Sequence, residues 1–430
     1  MADDTPAHYL AALSVPEIGP TRLRRLLEAF GSLDDALHAS PARLAEVDGA
    51  PYQVWAAFGR YARAALAGAE RVVADARSAG LTVLCWSDAD YPAPLRADPA
   101  GGAPLLFVEG VLPPALRLPY PRVRSVAVVG TRKPSSVADG FARDLGRNLA
   151  REGLVVVSGL AYGIDAAAHR GALEGGAESV EDAARGAIGH RYRTDARADG
   201  PWPGATVAVL GGGHQVLYPA SHRSLADAVV RGGGAIVSEW PPHVRARPHH
   251  FLRRNRIISA LARVVVVVQA GARSGALGTA THAAEQGRAV LVVPAFPNDD
   301  SFAGNLALLR DGAAPVVDET DVLSHFTELH AVPRPAAPAP TGGRPDEATA
   351  VDEAVADVPD AEGGFRSPPR SAIELVRRLL TGRPELAIDE LIARSGLAAA
   401  EVLGALTRLE LAGEAMRGPN GRYRRRAGSR

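Results

Sequence analysis

The chain has 430 residues, and at roughly 150 residues per domain this predicts about three domains rather than a peptide or a disulfide scaffold. Its 48 basic and 48 acidic residues cancel, so no global field draws the molecule onto a polyanion and any nucleic-acid binding must come from a local patch. Cys85, alone of its kind, excludes an internal disulfide and fits a reducing compartment; no apolar run nears the ~20 residues of a membrane helix; and the acidic start Met1-Ala2-Asp3-Asp4 is unlike a secretory leader. A soluble, cytoplasmic protein without membrane contact is expected.

In residues 1–75 apolar positions recur at three and four (Leu10, Leu13; Leu23, Leu26, Leu27, Phe30), with breaks at Gly19-Pro20 and Gly31-Ser32. This predicts a small helical domain. The turn Ile18-Gly19-Pro20 before Thr21-Arg22-Leu23 has the form of a helix-hairpin-helix, whose amides can hold a phosphate, although plain helix packing is the favoured explanation. Residues 76–120 are expected to connect this domain to the next through a short strand, a Tyr91-Pro92 turn and a second strand, Leu105 to Val108.

From 121 to 325 the pattern changes to β-branched runs, mostly followed by a glycine-containing loop and a helical period. The runs are Ser125 to Val129, Leu154 to Val157, Thr206 to Leu210, Ala235 to Val237, Val264 to Val268 and Val290 to Val293. Such alternation predicts an α/β fold with a Rossmann-like, mostly parallel sheet, in which ligands sit beyond the carboxyl ends of the strands. Residues 174–204 interrupt it with a Gly- and Arg-containing insertion. Residues 326–370, rich in Pro, Ala and acids, are expected to be a disordered linker. The last segment, 371–430, carries three helical stretches and a hairpin around Pro419-Asn420-Gly421, the pattern of a winged helix, which serves DNA and protein contacts alike.

The loops after the strands carry the chemistry. Gly130-Thr131-Arg132-Lys133-Pro134-Ser135-Ser136 joins a strand to a helix beginning near Ser136, with amides, a capping serine and Arg132 suited to an anion. It has neither dinucleotide nor P-loop spacing, so no nucleotide cofactor is expected. The loop Ser158 to Asp165 repeats the arrangement; Asp165 is expected to be a helix-start carboxylate, and His169 structural, with no second ligand at metal spacing. Further loops are Gly211-Gly212-Gly213-His214, Ser238-Glu239-Trp240-Pro241 and Arg273-Ser274-Gly275-Ala276-Leu277-Gly278-Thr279, each a candidate anion site. Between Pro241 and Arg263 stand six arginines and three histidines with no acid. Phe251 and Asn255 lie among them. Basic residues around an aromatic suit single-stranded nucleic acid, whose phosphates meet arginine and whose bases stack on a ring.

These residues resemble the DNA-processing protein A family (DprA, or Smf). The likeness runs through Gly130-Thr131-Arg132, Ser158-Gly159-Leu160-Ala161-Tyr162-Gly163-Ile164-Asp165, Tyr218-Pro219, Arg254-Asn255-Arg256-Ile257-Ile258, Ser274-Gly275 and Asp311-Gly312-Ala313. It implies an extended Rossmann fold that binds single-stranded DNA without a cofactor, metal or cleavage. It also implies protection of DNA in natural transformation and competence, RecA loading in recombination, and a homodimer. By matching position it makes Arg132, Phe251, Arg254, Asn255, Arg256 and Ser274 DNA contacts; Gly130, Thr131, Ser158, Gly159 and Gly275 of the loops, with Arg247 and Arg253 of the basic segment, complete the expected set. Gln269 departs from the family, which commonly has an acid there. The alternatives are an N-glycosidic nucleotide hydrolase of the lysine-decarboxylase-like type, with Glu285 the nearest acid after the Ser274 loop, and a duplex-binding regulator acting through the winged helix.

Overall fold

The computed structural model describes residues 4–98, 102–184 and 206–326; beyond these it describes 370–381, 388–395, 415–417, 423–425 and the single positions 386, 397, 402, 405, 406 and 409. The chain divides into two compact units, Met1–Ala337 and Pro338–Arg430.

The first unit opens with five helices: α1 (Pro6–Leu13), α2 (Pro20–Phe30), α3 (Leu33–His38), α4 (Pro41–Ala45) and α5 (Tyr52–Ser78). Their breaks follow the punctuation of the sequence. Gly31 ends α2 at φ 78°, a left-handed cap that suits glycine. The Ser32 side chain then accepts the Asp35 N–H to start α3. Trp55 is fully buried and donates its indole N–H to the Val47 carbonyl (2.7 Å).

Strand β1 (Thr82–Cys85), helix α6 (Ala93–Arg96) and strand β2 (Leu105–Gly110) come next, followed by β3 (Ser125–Val129), α7 (Ser136–Arg151), β4 (Val155–Ser158) and α8 (Ile164–Ala184). Then follow β5 (Thr206–Val209), α9 (Arg223–Arg231), β6 (Ala235–Ser238), α10 (Pro248–Ala260), β7 (Val264–Val267), α11 (Gly275–Glu285), β8 (Ala289–Val292), α12 (Ala303–Arg310), β9 (Ala314–Pro315) and α13 (Glu319–Leu323). The nine strands form one sheet in the order β1-β2-β6-β5-β4-β3-β7-β8-β9. From β6 to β9 neighbours are parallel, whereas β1–β2 and β2–β6 are antiparallel. Strands β3 to β7 are buried along their whole length, as expected where helices cover both faces of a sheet.

Two sequence expectations change here. Residues 76–120 are not only a connector: the two strands expected there form and extend the main sheet, with Phe107 to Gly110 laddered against β6. Nor does the helical region have a core of its own. Leu23, Trp55 and Phe58 belong to one apolar cluster with Phe107, Ala127 and Ile257, continuous from the helices to one face of the sheet. A second cluster, with Val126, Leu145, Ala168 and Val266, fills the other face.

The α7–α8 contact in that second cluster is backbone-close. A methyl group on Gly171 or Gly175 would lie 1.8 or 2.1 Å from the carbonyls of Arg143 and Arg147. Helix α8 runs on to Ala184, into the expected insertion; residues 185–204 and most of the expected linker lie outside the described residues.

In the second unit, α14 (Arg370–Leu380), α15 (Ile388–Ser395) and the antiparallel pair β10 (Ala415–Arg417) and β11 (Tyr423–Arg425) surround a core that includes Val376, Leu391, Leu406 and Tyr423. The expected turn at Pro419-Asn420-Gly421 falls outside the described residues. No helix among the described residues is long and apolar enough to cross a membrane.

Candidate nucleic-acid interface

The sheet order fixes where a site can form. From β3 the chain moves outward through β4, β5 and β6, then returns to place β7 on the other side of β3. The loops leaving β3 and β7 therefore part in opposite directions and leave a crevice at the carboxyl ends of the strands. A cleft of about 970 Å³ occupies that position. Five cations line it, Arg132, Lys133, Arg247, Arg254 and Arg273, against one carboxylate, Asp165.

The loop after β3 is shaped by its neighbours. A methyl on Gly130 would meet Ile164 at 2.6 Å, so only glycine allows this close passage. The Thr131 N–H donates to the Gln269 carbonyl (2.7 Å) and the Ser135 N–H to the Gln269 side-chain oxygen (2.9 Å). Ser135 caps α7 by accepting the Ala138 N–H. Arg132 and Lys133 are left exposed at the crest. Across the cleft the Ser274 side chain accepts the Ala276 N–H to cap α11, and the Asn255 amide donates to the Gly275 carbonyl (3.0 Å), tying α10 to that loop.

Phe251, half-buried on α10, is the aromatic centre. One edge of its ring rests on Gly211, where a methyl would come within 2.7 Å of the ring. Tyr218, 51% exposed, lies 5.5 Å away centroid to centroid, and the Arg132 guanidinium sits 5.1 Å from the Phe251 centroid. Ring, ring and guanidinium form a platform of the kind on which bases stack.

Arg254 forms the floor. It is buried, donates from Nη1 to the Val209 carbonyl (2.9 Å) and lies against Gly159, leaving no space for a Cβ there. Burial lowers its pKa to about 10, with Asp165 opposing and Arg132 adding to the fall. Burial pushes the Asp165 carboxyl up, and Arg254 chiefly opposes it. Each charge thus offsets part of the other's cost of burial. The Arg254 Nε is buried and makes no hydrogen bond among the described residues.

The expected contact set is therefore split. The cleft brings together Gly130, Thr131, Arg132, Arg247, Phe251, Arg254, Asn255, Ser274 and Gly275. It excludes four others. The Ser158 hydroxyl is fully buried and donates to the Val128 carbonyl (2.7 Å), and the Gly159 N–H donates to Asp165 Oδ2 (3.1 Å). Arg256 and Arg253 both pair with the buried Glu239, at 2.7 and 3.2 Å.

Two loops expected as anion sites are closed for related reasons. In the loop after β4, Asp165 accepts the Ala161 N–H as well, and the Leu160 N–H donates to His169 Nε2 (3.3 Å), so Asp165 is a loop organiser rather than only a helix-start charge. The Gly211-Gly212-Gly213 trio is buried under Phe251 and the 241–246 segment, with the Gly213 N–H donating to the Val244 carbonyl (2.8 Å).

Lys133, Arg273 and Tyr218 belong to the cleft but were not in the expected set. Each stands beside a loop or motif that was recognised, and that adjacency was the signal. Glu285, the acid the hydrolase alternative needs, is the last residue of α11 and is missing from the cleft lining. Ten residues of helix put it about 15 Å from Gly275. Among the described residues no three His, Cys, Asp or Glu side chains gather as a metal site.

Comparison with known proteins gives a consistent result. The family model for DNA recombination-mediator protein A matches residues 82–195 and 201–327. That for the DprA winged helix domain matches 374–421, and that for a SAM-like helix-hairpin-helix tandem matches 9–50. The chain is 38% identical over 321 residues to a DNA processing protein DprA of Mycobacterium tuberculosis, covering 74% of this chain and 68% of that one. It is 31% identical over 372 residues to protein Smf of Escherichia coli, covering 83% and 84%. The X-ray structure of DprA from Streptococcus pneumoniae matches with a TM-score of 0.58 at 28% identity, covering 75% of this chain and 98% of that one.

Proposed function

Because the chain belongs to the DNA recombination-mediator protein A family, a family of DNA-binding mediators rather than enzymes, we propose that its cleft holds single-stranded DNA without cleaving it. The observation that carries this reading is the Phe251 platform, set between Gly211, Tyr218 and Arg132 in a cleft lined by five cations and one acid. A half-exposed aromatic cluster with a guanidinium beside it suits an unpaired base, whereas the bases of a duplex are already stacked on one another. Arg132, Lys133, Arg247 and Arg273 meet the phosphates.

The bound strand is protected, and the complex promotes loading of the RecA recombinase in the cytoplasm during recombination or natural transformation, with the protein acting as a homodimer. Fluorescence anisotropy with single-stranded and duplex oligonucleotides across a salt series tests the binding step. Single strands are expected to bind more tightly, with a log-log salt slope of about −0.7 per neutralised phosphate. Equal affinity for single strand and duplex overturns the reading.

A further inference from the structure

Phe296 is 85% exposed, the most exposed large apolar side chain among the described residues. It lies on the loop that follows β8, the strand next to β7 and parallel to it, so it stands at the same carboxyl edge of the sheet as the cleft. A solitary exposed apolar residue is ordinary. This one differs in the rigidity of what carries it.

The Asp299 N–H donates to the Phe296 carbonyl (3.2 Å), closing a turn in which Pro297 takes the position that proline favours. Asp299 accepts the Ser301 hydroxyl (2.6 Å), and Ser301 accepts the Gln269 amide N–H (2.7 Å). Gln269 in turn accepts the Ser135 N–H of the β3 loop. The Gly304 N–H donates to the Ala270 carbonyl (2.8 Å), while Asn305 accepts the Ala270 N–H and donates to the Val268 and Val293 carbonyls. A directional chain of hydrogen bonds therefore runs from the loop after β3 that carries Arg132, through the β7 loop, to the turn that presents Phe296.

We propose that Phe296 is a second base-stacking platform, taking a nucleobase of a single strand that leaves the Phe251 cleft past Arg273 and crosses toward β8. The proposal rests on the single-strand reading above. Backbone order is already present in the turn, so stacking there costs little further entropy. Asp299 and Asp300 make this end unsuited to phosphate, and it therefore offers an aromatic face rather than a charge contact. Gln269 suits the brace better than an acid: the one proton of Ser301 is committed to Asp299, and only an amide can donate to the same oxygen.

The test compares Phe296→Ala and Phe251→Ala on oligothymidylates of about four and about 16 nucleotides, the span of common single-strand site sizes. Phe296→Ala is expected to weaken the longer strand about 5- to 150-fold, leave the shorter unchanged and keep the salt slope, since stacking neutralises no phosphate. Phe296→Trp is expected to keep the affinity, with emission quenched by the longer strand. Unchanged binding of both lengths by Phe296→Ala, while Phe251→Ala loses affinity, overturns the second platform and leaves the cleft reading standing. If neither substitution matters, the cleft reading itself fails.

Discussion

Two loops of this molecule look alike in sequence and do opposite things. Residues 130–135 and 158–163 each leave a buried parallel strand, carry a glycine and lead into a helix. In the second loop the N–H groups of Gly159, Leu160 and Ala161 are all taken, by Asp165 and His169. In the first, the N–H groups of Thr131, Lys133 and Ser135 are taken as well, by Gln269 and the Thr131 hydroxyl, but the side chains of Arg132 and Lys133 stand exposed at the mouth of the cleft. What separates an anion site from a scaffold here is the pair of unspent cationic side chains, which the loop after β4 lacks. The loop after β4 is instead a scaffold on which Arg254 and the opposite wall rest.

The sharpest way to break this contrast is at Arg254, which touches both loops' territory. Arg254→Ala leaves the buried Asp165 carboxylate without its counter-charge and opens space against Gly159. The expected loss is about 3–5 kcal/mol of stability in chemical denaturation, with DNA affinity falling alongside. Arg132→Ala is the opposite case. Its side chain is exposed, so the denaturation midpoint should hold, while single-strand affinity drops by about 1.5–3 kcal/mol and the salt slope falls by about 0.7. An Arg132→Ala protein that is destabilised, or an Arg254→Ala protein that is fully stable, would erase the distinction between reader and scaffold.

Much of this was legible beforehand. Six hydrophobic runs became the strands β3 to β8 with ends shifted by a residue at most, because a strand buried on both faces needs a continuous β-branched run. Ser135 and Gly130 were visible for similar reasons, as a cap and a close approach. The pairing of β2 with β6 was not, since an antiparallel addition between Leu105–Gly110 and Ala235–Ser238 leaves no local period to read. The basic segment misled in a specific way. Its composition cannot say that Arg253 and Arg256 are spent on Glu239, or that Arg254 answers Asp165, because those partners lie on other strands' loops. Helical spacing within α10 hinted at it: Arg254 shares a face with the apolar Ile258, and both are buried.

A pH series sharpens the contrast from the scaffold side. Burial lowers the His169 pKa from 6.5 to about 3 while its neutral ring holds Leu160 and Thr206. Above pH 6.5 neither the folded nor the unfolded chain protonates it, and its contribution is fully present. As pH falls from 6.5 toward 3 the unfolded chain takes up a proton that the folded chain refuses. Stability then declines by about 1.4 kcal/mol per pH unit from this one group. His214, lowered to about 4 by its own burial, adds to the decline. Thermal denaturation of wild type and His169→Gln between pH 7 and 5 measures the difference, and a parallel pH dependence in the two proteins would remove His169 from the scaffold.

The smallest effect is the most discriminating. Ser158 sits at the end of β4, and its strand-to-helix loop puts it in the expected contact set, whereas its hydroxyl is fully buried and committed to the Val128 carbonyl of the neighbouring strand. Ser158→Ala deletes one neutral hydrogen bond and little volume, which predicts about 1 kcal/mol of lost stability. The N–H groups beside it are held by Asp165 and His169, not by the serine, so the loop keeps its shape and oligothymidylate affinity stays at the wild-type value. A drop in affinity with unchanged stability would mean that the loop opens in solution and exposes its donors, making it a second reader like the loop after β3.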